Sequence, residues 1–168
     1  TDALGANLTA GWAIVDCRYD LADQAWGHAE YIAGHVPGAA YASLSHDMSA
    51  PPDGSNGRHP IPAAAAMTET FGRMGVGRDT QVVLYDQDNG MYASRLWWML
   101  RYMGHDAAAV LDGGWAKWTR EGRPVRAGAE TPARALFEGR LRERARLRAV
   151  DVATQLGNPR TLLVDARA

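Results

Sequence analysis

The chain has 168 residues, 46% of them hydrophobic and 22% charged, with a formal net charge of −1. That is the balance of a globular domain of ordinary size, and it excludes a disordered tail, a collagen-like rod and a low-complexity linker. The longest apolar runs, Val82 to Tyr85 and Leu96 to Leu100, fall far short of the roughly 18 residues of a membrane helix, and the near-neutral charge does not advertise a nucleic-acid partner.

Residues 4–10 read as the end of a helix, and the apolar run Ala13 to Asp16 as a short strand. Asp20 to Ala33 carries Leu21, Ala25, Trp26, Ala29 and Ile32 at helical spacing. Gly34-His35-Val36-Pro37-Gly38 is turn chemistry, followed by a short strand over Ala39 to Ala42. Pro51, Pro52, Gly54 and Gly57 mark residues 45–60 as a long surface loop. Pro62 then suits the first turn of a helix running through Ala63 to Met74.

Gln81 to Tyr85 has the composition of a fully buried strand, and a helix from about Met91 to Met103, capped by Gly104, follows its loop. Ala107 to Leu111 reads as another buried strand, stopped by Asp112-Gly113-Gly114. Trp115 to Glu121 reads as a helix ended by Gly122 and Pro124. Strand and helix alternate, which predicts an α/β fold of three layers: a central parallel sheet with helices on both faces, joined by right-handed crossovers.

After Val125 the texture changes. Residues 1–125 carry 9 basic and 14 acidic side chains, net −5, whereas residues 126–148 carry 7 Arg against 3 Glu, net +4. The arginines at 140, 142, 144, 146 and 148 are spaced by two, the pattern of a solvated linker strand more than of a nucleic-acid arm. Ala149 to Leu156 then reads as a helix and Thr161 to Val164 as a buried strand running into Asp165-Ala166-Arg167. That end copies Ile14-Val15-Asp16-Cys17-Arg18, so the pattern of helix, strand and Asp-x-Arg occurs twice, and the second copy has barely begun. The expected organisation is a domain over 1–125, a linker over 126–148 and, from 149 to 168, the start of a truncated second domain.

A single cysteine, Cys17, excludes an internal disulfide and a cysteine-rich metal site. At the end of a short strand it reads as a small buried core residue rather than an activated thiol. Nothing near Thr1 resembles a secretory leader, so a cytoplasmic address is the expectation, with a periplasmic one left open.

The candidate site is the loop Asp86-Gln87-Asp88-Asn89-Gly90-Met91. It leaves the carboxyl end of a central strand and enters a helix N-terminus, where ligands of open α/β sheets bind and backbone N–H groups suit an anion. Asp86-x-Asp88 grazes the nucleophile motif of haloacid-dehalogenase-like phosphatases. However, Gly90 stands where a Thr or Val is wanted, and the sole lysine, Lys117, lies in a tryptophan-flanked helix. A calcium loop would need its Gly one position later and Glu in place of Trp97. A Cys-x5-Arg phosphatase loop fails because the slot holds Asp86 and Tyr92 stands six residues on. His35 and His59 have no metal-ligand partner at helical or hairpin spacing and read as loop anchors. Trp97, Trp98, Trp115 and Trp118 read as packing, and Arg95 as a residue that orders the loop or faces a partner domain. No metal and no cofactor are implied.

Val15-Asp16-Cys17-Arg18, Gly34-His35-Val36-Pro37-Gly38-Ala39, Tyr85-Asp86, Ala93-Ser94-Arg95-Leu96-Trp97-Trp98, Gly104-His105 and Leu111-Asp112-Gly113-Gly114-Trp115 occur in that order. Over about residues 1–125, and on into Thr161 to Arg167, the chain resembles the amino-terminal half of a tandem-domain rhodanese, a thiosulfate or 3-mercaptopyruvate sulfurtransferase. The resemblance implies an enzyme in which a loop cysteine takes sulfane sulfur from a small donor as a persulfide and passes it to cyanide or a thiol. It also implies that Asp86 occupies the cysteine slot, so that this half carries no catalytic residue, lines the cleft, and works with its own carboxyl-terminal rhodanese domain. By analogy with Arg18, Arg167 is a structural arginine. The rival reading is a stand-alone, catalytically dead binding or regulatory module.

Overall fold

The computed structural model describes residues 1–165. Four parallel strands, β1 (Ala13–Asp16), β2 (Ala39–Tyr41), β3 (Val82–Tyr85) and β4 (Ala108–Val110), form one sheet in the order β2-β1-β3-β4. Ile14 is in register with Ala39 on one side and Val83 on the other. The helices are α1 (Asp2–Ala6), α2 (Trp26–Ala33), α3 (Ala64–Arg73), α4 (Ala93–Tyr102), α5 (Gly114–Arg120) and α6 (Ala149–Ala153).

Strand alternation sorts the core into two halves. Val15, Val82 and Leu84 face a cluster with Met67 and Phe71 of α3 and Leu96, Met99 and Leu100 of α4. Ile14, Val83 and Tyr85 face the other way, onto Leu4 of α1, Tyr31 of α2 and Trp118 of α5. The sheet is therefore covered on both faces, as the alternating pattern predicts.

Several elements differ from the sequence reading, among them α1, which ends at Ala6 where a helix through residue 10 is expected, and α6, which ends at Ala153 where Leu156 is expected. Helix α2 starts at Trp26 rather than Asp20, because the Asp20 carboxylate accepts the Ala22 and Asp23 N–H groups and the Asp23 carboxylate that of Ala25. These Asx turns compete with helix formation. Strand β4 is an edge strand, with Ala109 exposed rather than buried; runs of alanine are apolar without demanding burial. Residues 161–164 form no strand, and Leu162 is 86% exposed. A lone strand has no ladder to join. Leu162, Leu163, Leu147 and Leu156 instead line an open hollow of about 320 Å³ beside α6. In the second Asp-x-Arg copy, Ala166 and Arg167 lie outside the described residues.

The segment after α5 runs back across the domain. Arg126 and His35 exchange backbone hydrogen bonds of 2.8 and 3.0 Å, Ala135 N–H donates to the Gly72 carbonyl, and Arg140 and Arg142 N–H groups reach the Met103 and Tyr102 carbonyls. Phe137 is buried, edge-on to Phe71 with ring centroids 5.0 Å apart.

Three sequence-distant motifs meet beneath the carboxyl edge of the sheet. Arg18 Nη2 donates to Asp16 Oδ2 and to the Gly34 carbonyl, both at 2.6 Å, and its guanidinium lies 4.4 Å from the Trp115 ring centroid. Tyr85 O–H donates to Asp16 Oδ2 at 2.8 Å and accepts the Val36 N–H at 3.1 Å. Burial pushes the Asp16 carboxyl up while Arg18 pulls it down. A buried ion pair survives only when its remaining bonds are satisfied, and here the turn at 34–36, Tyr85 and Trp115 satisfy them. Asp-x-Arg, Gly-His-Val-Pro-Gly and Gly-Gly-Trp thus occur together for a single structural reason.

Candidate functional site

The loop from Asp86 to Met91 leaves β3 and enters α4, as expected from sequence. Its first side chain turns inward. Asp86 is 1% exposed, and its carboxylate accepts four backbone N–H groups: Asp88 at 3.2 Å and Gly90 at 2.9 Å on Oδ1, Tyr92 at 2.8 Å and Ala93 at 3.2 Å on Oδ2. The last two belong to the start of α4, where N–H groups are unpaired and the dipole favours negative charge. The loop is therefore a cradle for one anion, and the chain's own carboxylate fills it.

The rest of the loop serves this geometry or faces solvent. Gln87 clasps the segment leaving β1, its side-chain amide donating to the Tyr19 carbonyl at 2.8 Å. The Asp86 and Gln87 carbonyls accept the Trp115 and Ala116 N–H groups. A Cβ on Gly114 would lie 2.6 Å from the Asp86 carbonyl, so the Asp112-Gly113-Gly114 turn can close on the loop only as glycine. Asn89 Oδ1 accepts the Met91 N–H. Asp88, Asn89 and Met91 are exposed, and Gly90 is half-buried.

A hollow of about 470 Å³ opens at the same edge of the sheet, lined among others by Gln24, Ser45, His46, Ser49, Arg58 and His59. It shares Gln24, Pro52, Arg58 and His59 with a second hollow, of about 510 Å³, that reaches Tyr19. These residues lie on the segments that leave the carboxyl ends of β1 and β2, the edge of the sheet where ligands collect. Of these, the sequence singles out only Pro52 and His59, both within the loop 45–60. Their only signal was that polar residues follow each strand end.

Cys17 is buried, as expected, but at the end of an inner strand: its N–H donates to the Tyr85 carbonyl, one residue before Asp86. Burial, and after it the charges of Asp16, Asp86 and Asp47, pushes its thiol well above the ordinary range, the opposite of an activated nucleophile. His35 anchors its turn: a carbonyl can only accept, so Nδ1–H donates to Tyr31 O at 2.8 Å. Nε2 is buried without a hydrogen bond, 3.7 Å from Glu130 Oε1. His59 anchors through its backbone, whose carbonyl accepts from Arg95, and its ring lines the hollow. Burial, then the charges of Arg95 and Arg58, hold the His59 ring below the ordinary histidine range. Among the described residues no group of three or more acidic, histidine or cysteine side chains could hold a metal ion, and no helix is long and apolar enough to cross a membrane.

A parallel sheet closed by an Asp-x-Arg pair, with an anion cradle between its third strand and the next helix, defines a rhodanese-type α/β domain. The rhodanese-like domain model matches residues 1–121, and the chain belongs to that family. It is 38% identical over 157 residues to a probable 3-mercaptopyruvate sulfurtransferase of Pseudomonas aeruginosa, covering 92% of this chain and 55% of that protein. It is 34% identical over 163 residues to the thiosulfate sulfurtransferase of Gallus gallus, covering 94% and 54%. Among solved structures, the 3-mercaptopyruvate sulfotransferase SseA of Escherichia coli superposes with a TM-score of 0.80 at 26% identity, covering 92% of this chain and 60% of that one. The chain spans about half the length of the curated relatives it matches.

Proposed function

We propose that this chain is the non-catalytic, amino-terminal half of a sulfurtransferase that moves sulfane sulfur from thiosulfate or 3-mercaptopyruvate to cyanide or a thiol. The observation that carries this reading is Asp86. It stands at the loop position where a persulfide-forming cysteine would be needed, and its carboxylate takes all four N–H donors of the cradle. A carboxylate has no sulfur with which to form a persulfide, and a filled cradle leaves no donors for a persulfide anion.

On this reading the reacting cysteine belongs to a second rhodanese-like domain, which begins near residue 149 after the segment 126–148. The first domain supplies scaffold and one wall of the cleft, through the hollow at the carboxyl edge of the sheet. The share of the relatives' length that is matched, about half, supports a two-domain protein. The reaction needs no cofactor.

The test is sulfur transfer by residues 1–168, with thiosulfate or 3-mercaptopyruvate as donor and cyanide as acceptor. The expected result is no turnover above buffer. Turnover that disappears in Cys17→Ser would overturn the reading and make Cys17 the nucleophile.

A further inference from the structure

The loop 48–60 carries Arg58 and His59 into the hollow, yet little within the loop holds it there. Pro51, Pro52, Gly54 and Gly57 leave residues 51–58 exposed. Apart from one bond from Asn56 Nδ2 to the Pro51 carbonyl, the internal bonds of residues 51–58 belong to a turn in which Asp53 Oδ1 accepts the Ser55 and Asn56 N–H groups. The loop's direction is set where its two ends meet, at the 2.9 Å hydrogen bond from Ala50 N–H to the Pro60 carbonyl.

Arg95 grips that neck from α4. Nε and Nη2 both donate to the Met48 carbonyl, at 3.0 and 2.8 Å, and Nη2 also donates to the His59 carbonyl at 2.8 Å. One planar fork therefore spans both ends of the loop, which an ammonium on a flexible stem cannot reproduce. Among the described residues Arg95 makes no ion pair, and burial lowers its pKa; beside the carbonyls of the neck its guanidinium meets the Ser49 hydroxyl, at 3.5 Å. The helix that carries it is fixed in turn by Asp86, which holds the N–H groups of Tyr92 and Ala93 three and two positions earlier.

We infer that Arg95 is a positioning residue for the hollow: its guanidinium clamps the neck of the loop 48–60 to α4 and thereby sets where Arg58 and His59 stand. Asp86 anchors the same helix, so the slot that has no nucleophile keeps a role in shaping the wall. The inference rests on the reading that this hollow forms part of the cleft, but its test does not use sulfur transfer.

The test compares wild type with Arg95→Lys and Arg95→Gln in the 168-residue chain, by amide exchange and by NMR titration of the His59 ring. A clamp confined to the neck predicts exchange at Ala50 faster by about tenfold or more in both variants. The amides of Cys17 and Val82, bonded inside the sheet to Tyr85 and Ala107, should keep their wild-type rates. The His59 midpoint should move up in Arg95→Gln, which loses both the nearby charge and the clamp, and should stay put in Phe137→Leu, which loosens the core elsewhere. Unchanged exchange at Ala50, or an equal acceleration at Cys17 and Val82, would overturn the inference. So would a His59 midpoint unmoved in Arg95→Gln. If Arg95→Gln does not fold, Ala50 exchange in Arg95→Lys decides alone. A clamp that passes while the two-domain enzyme proves indifferent to Arg58 and His59 would count against the functional reading only.

Discussion

Replacing Asp86 by alanine removes the anion from a cradle built of four backbone donors. Two of those bonds, at 2.9 and 2.8 Å, are short, and two, at 3.2 Å, are longer. A hydrogen bond to a charged group contributes roughly 1.5–3 kcal/mol net. The short pair alone would give about 3–6 kcal/mol, but the Asp88 and Gly90 donors lie near solvent and can turn to water. Relief of the buried carboxylate's desolvation offsets more, which leaves an expected cost of about 3 kcal/mol. For a chain of this length that lowers the thermal midpoint by roughly 6–12 °C. The assay is thermal unfolding of wild type and Asp86→Ala followed by far-UV circular dichroism, with a formate titration of both. Formate is the carboxylate that the substitution deletes, so it should raise the midpoint of the variant more than that of wild type. A midpoint lowered by less than about 2 °C, worth under about 1 kcal/mol, and indifferent to formate would refute the claim that the carboxylate holds the loop.

Phe137, four-fifths of the way along the chain, sits in the core against Phe71, so Phe137→Ala should cost about 3–5 kcal/mol, read by urea unfolding; a loss under about 1 kcal/mol would mean the returning segment is a loose tail. Cys17 should react with a thiol reagent only as fast as the chain unfolds, and rapid stoichiometric labelling in the native state would contradict its burial. The same thiol makes stability fall on the alkaline side. The folded pKa of Cys17 is raised, so above about pH 8.5 the unfolded chain gives up a proton that the folded chain keeps. Tyr85, raised in the same way by burial and by Asp16, adds to the loss above about pH 10. Denaturant midpoints between pH 7 and 11 check the sign, and a stability that rises over that range would contradict it.

Much of the fold was legible because its signals are periodic. β1 and β3 are short apolar runs that put alternate side chains on two faces, and α3 and α4 show a one-sided apolar stripe. The site was legible by position alone: a polar loop after the most apolar strand. What could not be read are interactions between segments far apart in the chain. Nothing local in Asp16-Cys17-Arg18 says that its ion pair will cap the turn at Gly34 and stack on Trp115. Nothing in Asp86 says that its carboxylate will turn back into the loop's own N–H groups. The start of α2 was misread because Asx turns and first helical turns draw on the same residues, and β4 because alanine satisfies both a buried and an exposed strand. The hollow escaped notice because its walls come from two loops that share no motif.

The central claim is that the loop at Asp86 cannot take up sulfur. The direct measurement is intact mass of residues 1–168 after incubation with thiosulfate and, separately, with 3-mercaptopyruvate, each followed by peptide mapping. The expected result is an unchanged mass under both donors, with Cys17 recovered as a free thiol. A gain of one sulfur atom, mapped to Cys17 and discharged by cyanide, would contradict it.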